Sequence, residues 1–148
     1  MTDAEMQIRA FAPADEVAVI ALWDQVQLTR PWNDAHKDVI RKLQQMQHNH
    51  SSIFWVAEAG GEIVATVMAG YDGHRASVNY LAVHSDWQKR GGGKSLMQEV
   101  EKWCLSLGCP KINLMVRTDN QSVRQFYSQL DYRVDDVVVL SKRLIEDE

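Results

Sequence analysis

The stretch Gln88-Lys89-Arg90-Gly91-Gly92-Gly93-Lys94-Ser95-Leu96 decides how this chain is read, because it lies between an apolar strand and an amphipathic helix. Glycines at the start of a helix let the backbone approach an anion closely. The unpaired N–H groups of the first helical turn point at that anion, with the positive end of the helix dipole behind them. Positive side chains at the same place are Lys89, Arg90 and Lys94. The stretch therefore predicts a binding site for a pyrophosphate.

Two commoner nucleotide motifs do not fit this stretch. The segment Gly93-Lys94-Ser95 matches the end of a Walker P-loop, but the glycine that should open that motif is replaced by Gln88. The dinucleotide fingerprint G-x-G-x-x-G fails as well, because Leu96 stands where Gly or Ala should close it. Neither kind of nucleotide site is predicted.

What remains is Gln-x-x-Gly-x-Gly after the strand Tyr80-Leu81-Ala82-Val83-His84, and this resembles the acyl-CoA loop of the GCN5-related N-acetyltransferases, the GNAT superfamily. Residues 120–132, NQSVRQFYSQLDY, resemble that family's second signature, an Asn that opens a helix and a Tyr two turns later. Segments 30–34, 70–75 and 108–112 resemble the YpeA-type bacterial branch, so the likeness covers nearly the whole chain. Two motifs in the right order indicate the family more strongly than either alone.

The resemblance implies a fold and a place for the cofactor, acetyl-CoA. Two neighbouring parallel strands, at 75–83 and 111–117, would splay apart so that the pantetheine arm pairs with their backbone. The N–H of Leu81 would then face the thioester carbonyl as the oxyanion donor, and Tyr127 would protonate the departing thiolate. The cofactor-binding residues implied by the resemblance are Leu81, Ala82, Val83, Gln88, Lys89, Arg90, Gly91, Gly92, Gly93, Lys94, Ser95, Asn120 and Tyr127.

The role of Tyr127 has an alternative. Asn120 and Tyr127 are seven residues apart, so they lie on nearly the same face of a helix. Val123 and Leu130 share the stripe of Tyr127, and on an isolated helix this would favour a core residue. The glycine loop upstream favours the catalytic role instead.

The sequence does not identify the general base. Relatives with a glutamate base carry it on the third strand of the meander, where this chain has Ser77. A water relay would then serve, with candidate contributors at Glu58, Asp72, His74 and His84.

The acceptor is predicted to bind in the segment between the first two helices. Arg30 and Trp32 suit a carboxylate and an apolar side chain, although Pro31 between them is also an ordinary helix terminator. We expect a primary amine in a small metabolite, an amino acid or a peptide or protein N-terminus. The alternative function is a non-catalytic acyl-CoA-binding sensor or interaction domain, because the glycine loop alone does not distinguish the two.

Composition predicts one domain over residues 1–148, since 148 residues with 45% hydrophobic side chains suffice for a single core. A net charge of −4 argues against nucleic acid as a partner. No apolar run approaches a membrane span, so we expect a cytoplasmic protein without membrane contact. Cys104 and Cys109 are expected to stay reduced. His48-x-His50 lacks a third ligand, so no metal site is expected.

The pattern of elements predicts an α/β fold, more closely a mixed α+β sheet: a mostly antiparallel sheet with one parallel pair and about four helices. The resemblance implies that the parallel pair is splayed. Strands are predicted at 7–11, 53–58, 62–70, 75–83 and 112–116, with closing strands at 132–134 and 137–144. Asp15 and Asp34 are predicted helix caps. The apolar run at 137–140 suits either a core strand or an edge contact in a homodimer. The acidic end, 146–148, is expected to be solvated.

Overall fold

The computed structural model describes residues 5–147. The strands are β1 (Gln7–Ala10), β2 (Ser52–Ala59), β3 (Glu62–Tyr71), β4 (Ala76–Val83) and β5 (Ile112–Leu114). The helices are α1 (Glu16–Gln25), α2 (Ala35–His48), α3 (Ser85–Gln88), α4 (Gly92–Ser106) and α5 (Gln121–Gln129), and a 3-10 turn (Pro13–Asp15) precedes α1.

The five strands form one mixed sheet in the order β1-β2-β3-β4-β5. The first three pairings are antiparallel, and β4 pairs with β5 in parallel. A parallel neighbour needs a crossover, which α4 supplies between β4 and β5. This confirms the predicted fold class.

Helices cover both faces of the sheet. Neighbouring residues of a strand point to opposite faces, and accordingly Val56 and Ala57 of β2 belong to two different hydrophobic clusters. Trp23 of α1 and Val39 of α2 pack with Val56. The other cluster, with Ala57, holds apolar residues of α4 and of α5, namely Leu96, Met97, Val100, Cys104 and Tyr127. Burial of these two apolar layers is the main source of stability.

Of the two predicted helix caps, one is confirmed. The side chain of Asp34 accepts a hydrogen bond from the Lys37 backbone N–H at 3.1 Å, as an N-cap does. The prediction for Asp15 is wrong, since its side chain makes no cap bond to α1. The Asp15 carboxylate instead accepts two bonds from the Arg9 guanidinium, at 2.8 and 2.9 Å. Asp15 is the last residue of the 3-10 turn and has helical φ and ψ, and its carboxylate also accepts from the Ala12 N–H at 2.8 Å, on the side away from α1.

The predicted closing strands at 132–134 and 137–144 are wrong. Within the described residues the chain after α5 forms no strand, and the side chains at 137–140 are 65 to 90% exposed. Valine-rich segments favour strands only when a neighbouring strand and a covering layer are present. Here β5 stays the outermost strand of the sheet. The same exposure excludes a core strand at 137–140.

The acidic end is also not fully solvated. Asp147 is 3% exposed and accepts hydrogen bonds from Arg41 of α2 at 2.8 and 2.9 Å. The hydrogen bonds from Arg41, together with its charge, lower the pKa of Asp147 to about 2. This ion pair ties the end of the chain to α2, whereas Glu148 lies outside the described residues.

Among the described residues, no helix is both long enough and apolar enough to cross a membrane. The cytoplasmic location stays a prediction.

Candidate active site

Strand β4 carries a β-bulge in the region predicted to bind the thioester. Its ladder with β3 is in register at Asn79 and at Ala82, and between them Tyr80 and Leu81 oppose the single residue Val67. Tyr80 has a φ of +52°, which an L-residue adopts only at an energetic cost. The bulge therefore re-aims the backbone of β4 just before Leu81.

The bulged residue Tyr80 is held by contacts in three directions. Its ring stacks on Trp23 with 3.9 Å between the ring centroids. Its carbonyl oxygen accepts a hydrogen bond from the Thr66 hydroxyl at 2.8 Å. Its own hydroxyl donates to Asp38 at 2.6 Å. Several independent contacts of this kind can hold a residue in a strained backbone conformation.

Strands β4 and β5 separate just before the bulge. Their parallel pairing covers only Ala76 to Val78 on β4, and it ends where Val78 meets Leu114. Strand β4 continues to Val83, so residues 79–83 extend past the last partner on β5. Backbone groups on this side of β4 are suited to pair with an amide-containing ligand. The predicted residues Leu81, Ala82 and Val83 all lie in this extension.

The glycine loop leads directly from this extension into α4. Gly91 is the N-cap of α4 and has a φ of +76°, a conformation in which glycine is strongly preferred. The first bond within the helix runs from the Ser95 N–H to the Gly91 carbonyl at 3.0 Å. The N–H groups of Gly92, Gly93 and Lys94 precede that bond and have no acceptor within the helix. An anion at this end would also meet the positive end of the helix dipole.

Space and charge around the loop fit a diphosphate. A Cβ atom added at Gly91 would have no neighbouring atom within 4 Å, so the backbone is open there. Lys89, Arg90 and Lys94 are exposed, and the Arg90 guanidinium lies over the Trp87 ring at 5.0 Å. A cavity of about 840 Å³ borders the loop on the side of β1. The predicted cofactor residues among its lining are Arg90, Gly91, Gly92 and Ser95.

Two predicted cofactor residues have structural partners. The Gln88 side chain donates to the Val83 carbonyl at 2.9 Å, which fixes the turn that follows β4. A Cβ atom added at Gly93 would lie 2.9 Å from the ring of Phe126 on α5. Gly93 therefore permits close packing between α4 and α5, a role that the sequence did not indicate.

Asn120 and Tyr127 lie at the start and near the end of α5. Asn120 is the N-cap, and its side-chain oxygen accepts from the Val123 N–H at 3.3 Å. Tyr127 is 8% exposed and packs in the cluster that Leu81 and Val83 also contact. The structure thus brings the tyrosine, the β4 extension and α4 to one side of the sheet.

Burial raises the pKa of the Tyr127 hydroxyl above its usual value. The phenol is therefore protonated at neutral pH and available as a donor. Burial disfavours any anion, so it also raises the basicity of a thiolate released beside it.

The predicted acceptor residues lie in the loop between α1 and α2. The Arg30 guanidinium donates to the backbone carbonyls of Gln27 and Thr29 at 2.7 and 2.8 Å, so in this structure it stabilises its own loop. Trp32 is 52% exposed, and the Arg117 guanidinium lies 5.6 Å from its ring centroid. Because Arg117 follows β5 along the chain, this contact joins the loop to the β5 side of the gap.

Of the four side chains that are candidates for the base, three have a hydrogen-bond or ion-pair partner, and the fourth, His74, lies in a turn. Glu58 pairs with Arg9, and Asp72 accepts from the backbone N–H groups of the β3–β4 turn that contains His74. His84 caps α3 and lies 3.0 Å from the Gln25 side chain. Ser77 lines a cavity of about 300 Å³, four residues before Leu81.

A carboxylate that the sequence analysis missed lies next to the bulge. Asp38 of α2 accepts hydrogen bonds from the Asn33 amide and from the Tyr80 hydroxyl, both at 2.6 Å. Burial, together with the Asp38 charge, raises the pKa of Tyr80 and keeps that hydroxyl a donor. Asp38 and Tyr80 are 42 positions apart, so no local motif could have revealed the cluster.

Comparison with known proteins identifies the class. The model of the Acetyltransferase (GNAT) family matches residues 17–132. Acetyltransferase ECA0875 from Pectobacterium atrosepticum is 50% identical over 143 residues, covering 96% of this chain and 98% of that protein. Acetyltransferase SG1711 from Sodalis glossinidius is 48% identical over 145 residues, covering 97% and 99%. The solved structure of AAC(6')-Iy with the bisubstrate analog CoA-S-monomethyl-acetylneamine has a TM-score of 0.76 at 16% identity, covering 96% and 100%.

The chain therefore belongs to the GNAT acetyltransferase family, and it is an N-acetyltransferase. The resemblance found in the glycine loop and in the Asn120–Tyr127 segment is confirmed at the level of the family. The role of each site residue stays a prediction.

Proposed function

We propose that this N-acetyltransferase takes acetyl-CoA as the donor and acetylates a primary amine in a small metabolite, an amino acid or a peptide or protein N-terminus by direct attack. The observation that carries the proposal is the gap between β4 and β5, bordered by the open N-terminus of α4 and by the bulge at Tyr80 and Leu81. Acetyl-CoA supplies an activated acetyl thioester when it is bound. A solved relative in fold, AAC(6')-Iy, was crystallised with a CoA-derived bisubstrate analog, which supports the donor.

Two sets of residues would hold the donor. The N–H groups of the first turn of α4, with Lys89, Arg90 and Lys94 around them, would bind the diphosphate. The backbone of the β4 extension, at Ala82 and Val83, would bind the pantetheine amides. Asn120 caps the neighbouring helix and contacts the cofactor in this proposal.

Two groups would assist the reaction at the thioester. The Leu81 N–H donates to the carbonyl oxygen, on which negative charge builds as the amine attacks. The Tyr127 hydroxyl donates its proton to the departing sulfur. The new bond joins the amine nitrogen to the acetyl carbon, and the carbon–sulfur bond breaks. The amine proton leaves to solvent, and the Tyr127 phenolate regains a proton from solvent.

We propose that the acceptor approaches from the side of α2. The Asp38 carboxylate attracts a positively charged amine toward Tyr80 and Leu81, and the exposed ring of Trp32 contacts an apolar part of the acceptor. Arg30 would have to turn from the loop carbonyls to bind an acceptor carboxylate. With serine at position 77, a water relay completes deprotonation of the amine.

We also propose a homodimer with a second copy of the chain. The apolar run at 137–140 is exposed, and the outer edge of β5 has no further strand beside it among the described residues. Exposed apolar runs and open strand edges both favour association. Light scattering at high protein concentration is expected to give twice the chain mass, and a monomer at all concentrations would contradict the dimer without affecting the enzyme.

The function itself is tested by acetyl transfer. Purified protein with acetyl-CoA and a panel of amines should release CoA only when an acceptor is present. Mass spectrometry of the mixture should show that acceptor 42 Da heavier, roughly the mass added when an acetyl group replaces a hydrogen. Tight binding of acetyl-CoA without acceptor-dependent CoA release would favour the alternative of a non-catalytic acyl-CoA sensor.

A further inference from the structure

We propose that Thr66 is a positioning residue for the oxyanion donor, acting through the peptide unit that joins Tyr80 to Leu81. The inference rests on the proposed function, because it takes the Leu81 N–H as the donor to the thioester carbonyl. Thr66 lies on β3, is 0% exposed and belongs to none of the motifs that identify the family.

The hydroxyl of Thr66 fixes the orientation of that peptide unit. It donates to the Tyr80 carbonyl oxygen at 2.8 Å, and this carbonyl shares one planar amide with the Leu81 N–H. No cis peptide bond occurs in the described part of the chain, so the C=O and the N–H point to opposite sides of the unit. Holding the carbonyl toward β3 turns the N–H away from β3, toward the side on which β5 diverges.

A second hydrogen bond sets the direction of the Thr66 hydroxyl. The indole N–H of Trp23, also 0% exposed, donates to the Thr66 oxygen at 2.9 Å. A hydroxyl has a single proton. Because Trp23 can only donate, the Thr66 proton is left for the Tyr80 carbonyl. The hydrogen bonds form one buried chain that runs from the indole through the hydroxyl to the amide.

The chain of hydrogen bonds also polarises the amide. Each bond in such a chain strengthens the next one in a medium of low dielectric constant. A carbonyl that accepts a strong bond leaves the N–H of the same amide more positive. The Leu81 N–H becomes a stronger donor at the point where negative charge develops, and it needs no reorganisation during the reaction.

The choice of threonine supports this role. Residues 63–69 form an otherwise apolar run, and valine has nearly the same shape as threonine. A buried hydroxyl is tolerated when both of its bonds are satisfied, and here the hydroxyl accepts from the Trp23 indole and donates to the Tyr80 carbonyl. A residue that only filled the core could be replaced by valine with little effect on the thioester.

The test compares Thr66→Val, Thr66→Ser and the control Val19→Ala. Val19 is 0% exposed and packs in the same cluster as Trp23, but it makes no bond to the Tyr80 peptide. Acetyl-CoA carrying ¹³C at the thioester carbonyl is bound to each variant, and the isotope-edited infrared stretch of that carbonyl is recorded. Single-turnover acetyl transfer and the dissociation constant of acetyl-CoA are measured on the same samples, well below the melting temperature.

For Thr66→Val we expect the carbonyl stretch to shift toward the frequency of free acetyl-CoA. Transfer should be slower by about tenfold or more, because a misaligned oxyanion donor loses much of its effect. The dissociation constant of acetyl-CoA should change by less than about threefold, since the remaining contacts are kept. Thr66→Ser should restore both the frequency and the rate, and Val19→Ala should match the wild type in both.

Unchanged frequency and rate in Thr66→Val would overturn the inference while leaving the function in place. An equal loss in Val19→Ala would also overturn it, since a general loosening of the core would then explain the effect. If Thr66→Val does not fold, Thr66→Ala decides, because it removes the same hydroxyl and should also raise the carbonyl frequency. Wild type that binds no acetyl-CoA would instead overturn the proposed function, and the inference with it.

Discussion

The glycine loop allows a direct comparison between two glycines that share a backbone conformation and differ in location. Gly91 has a φ of +76° at the N-cap of α4, and Gly61 has a φ of +81° in the β2–β3 turn. At both positions an added Cβ atom would meet no other atom within 4 Å. Gly61→Ala is therefore a matched control for Gly91→Ala.

Both variants should lose the same stability. An L-residue in the left-handed region costs roughly 1–2 kcal/mol, and neither site adds a steric clash. In a chain of this size 1 kcal/mol corresponds to about 2–4 °C of melting temperature. We expect each alanine to lower the melting temperature by roughly 2–8 °C in the absence of ligand.

The two variants should respond differently to CoA. At a concentration of 100 times the dissociation constant, binding stabilises wild type by about 2.7 kcal/mol. Gly61→Ala should keep that increment, because Gly61 is not among the residues that line the cavity beside the loop. Gly91→Ala should lose most of it, because its methyl group enters the space through which an anion approaches the first-turn N–H groups.

Differential scanning calorimetry of the three proteins, with and without CoA and acetyl-CoA, measures both effects. Equal increments in all three proteins would refute the assignment of the loop as the diphosphate site. A Gly91→Ala variant as stable as wild type would refute the argument from φ. Gly91→Asn should recover part of the lost stability, since asparagine tolerates the left-handed region.

Three further predictions follow from single side chains. Tyr127→Phe should slow single-turnover transfer by about a hundredfold or more with little change in acetyl-CoA affinity. If the variant and wild type transfer the acetyl group at the same rate at every pH, Tyr127 is not the acid. Asp38→Asn should raise the KM for a cationic acceptor by about tenfold, and the affinity for acetyl-CoA, measured as the control, should not change. An unchanged KM would show that the acceptor amine does not bind near Asp38. Burial lowers the pKa of Lys42 from 10.5 to about 8, so the unfolded chain binds more protons between these values and the free energy of unfolding should rise with pH across that window. Urea denaturation of Lys42→Met should lack that rise, and an identical pH slope would contradict the shifted pKa.

Local sequence patterns predicted the glycine loop and most elements because the information lies within a few residues. The glycines at the start of α4 mark a helix N-terminus, and Asn120 was expected to open the helix that carries Tyr127. The Asp34 cap and the antiparallel meander were also readable from spacing and turn residues.

The β-bulge at Tyr80 and the residues that hold it could not be predicted from local sequence patterns. Tyr80 takes a left-handed conformation inside a run that looks like a regular strand, and its partners Thr66 and Asp38 are 14 and 42 positions away. The one signal available for Thr66 was a hydroxyl in an apolar run. The C-terminal valines failed as a strand prediction for the opposite reason, since local propensity was high but the segment pairs with no strand of the sheet.

The most direct test of the account is acceptor-dependent release of CoA by the wild-type protein. The assay follows free thiol from acetyl-CoA in the presence of aminoglycosides, polyamines, amino acids and short peptides with free N-termini. Gly91→Ala serves as the control with a damaged donor site. We predict CoA release and an acetylated product with at least one primary amine, and much less of both with Gly91→Ala. Saturable acetyl-CoA binding with no release above background for any amine would contradict the account.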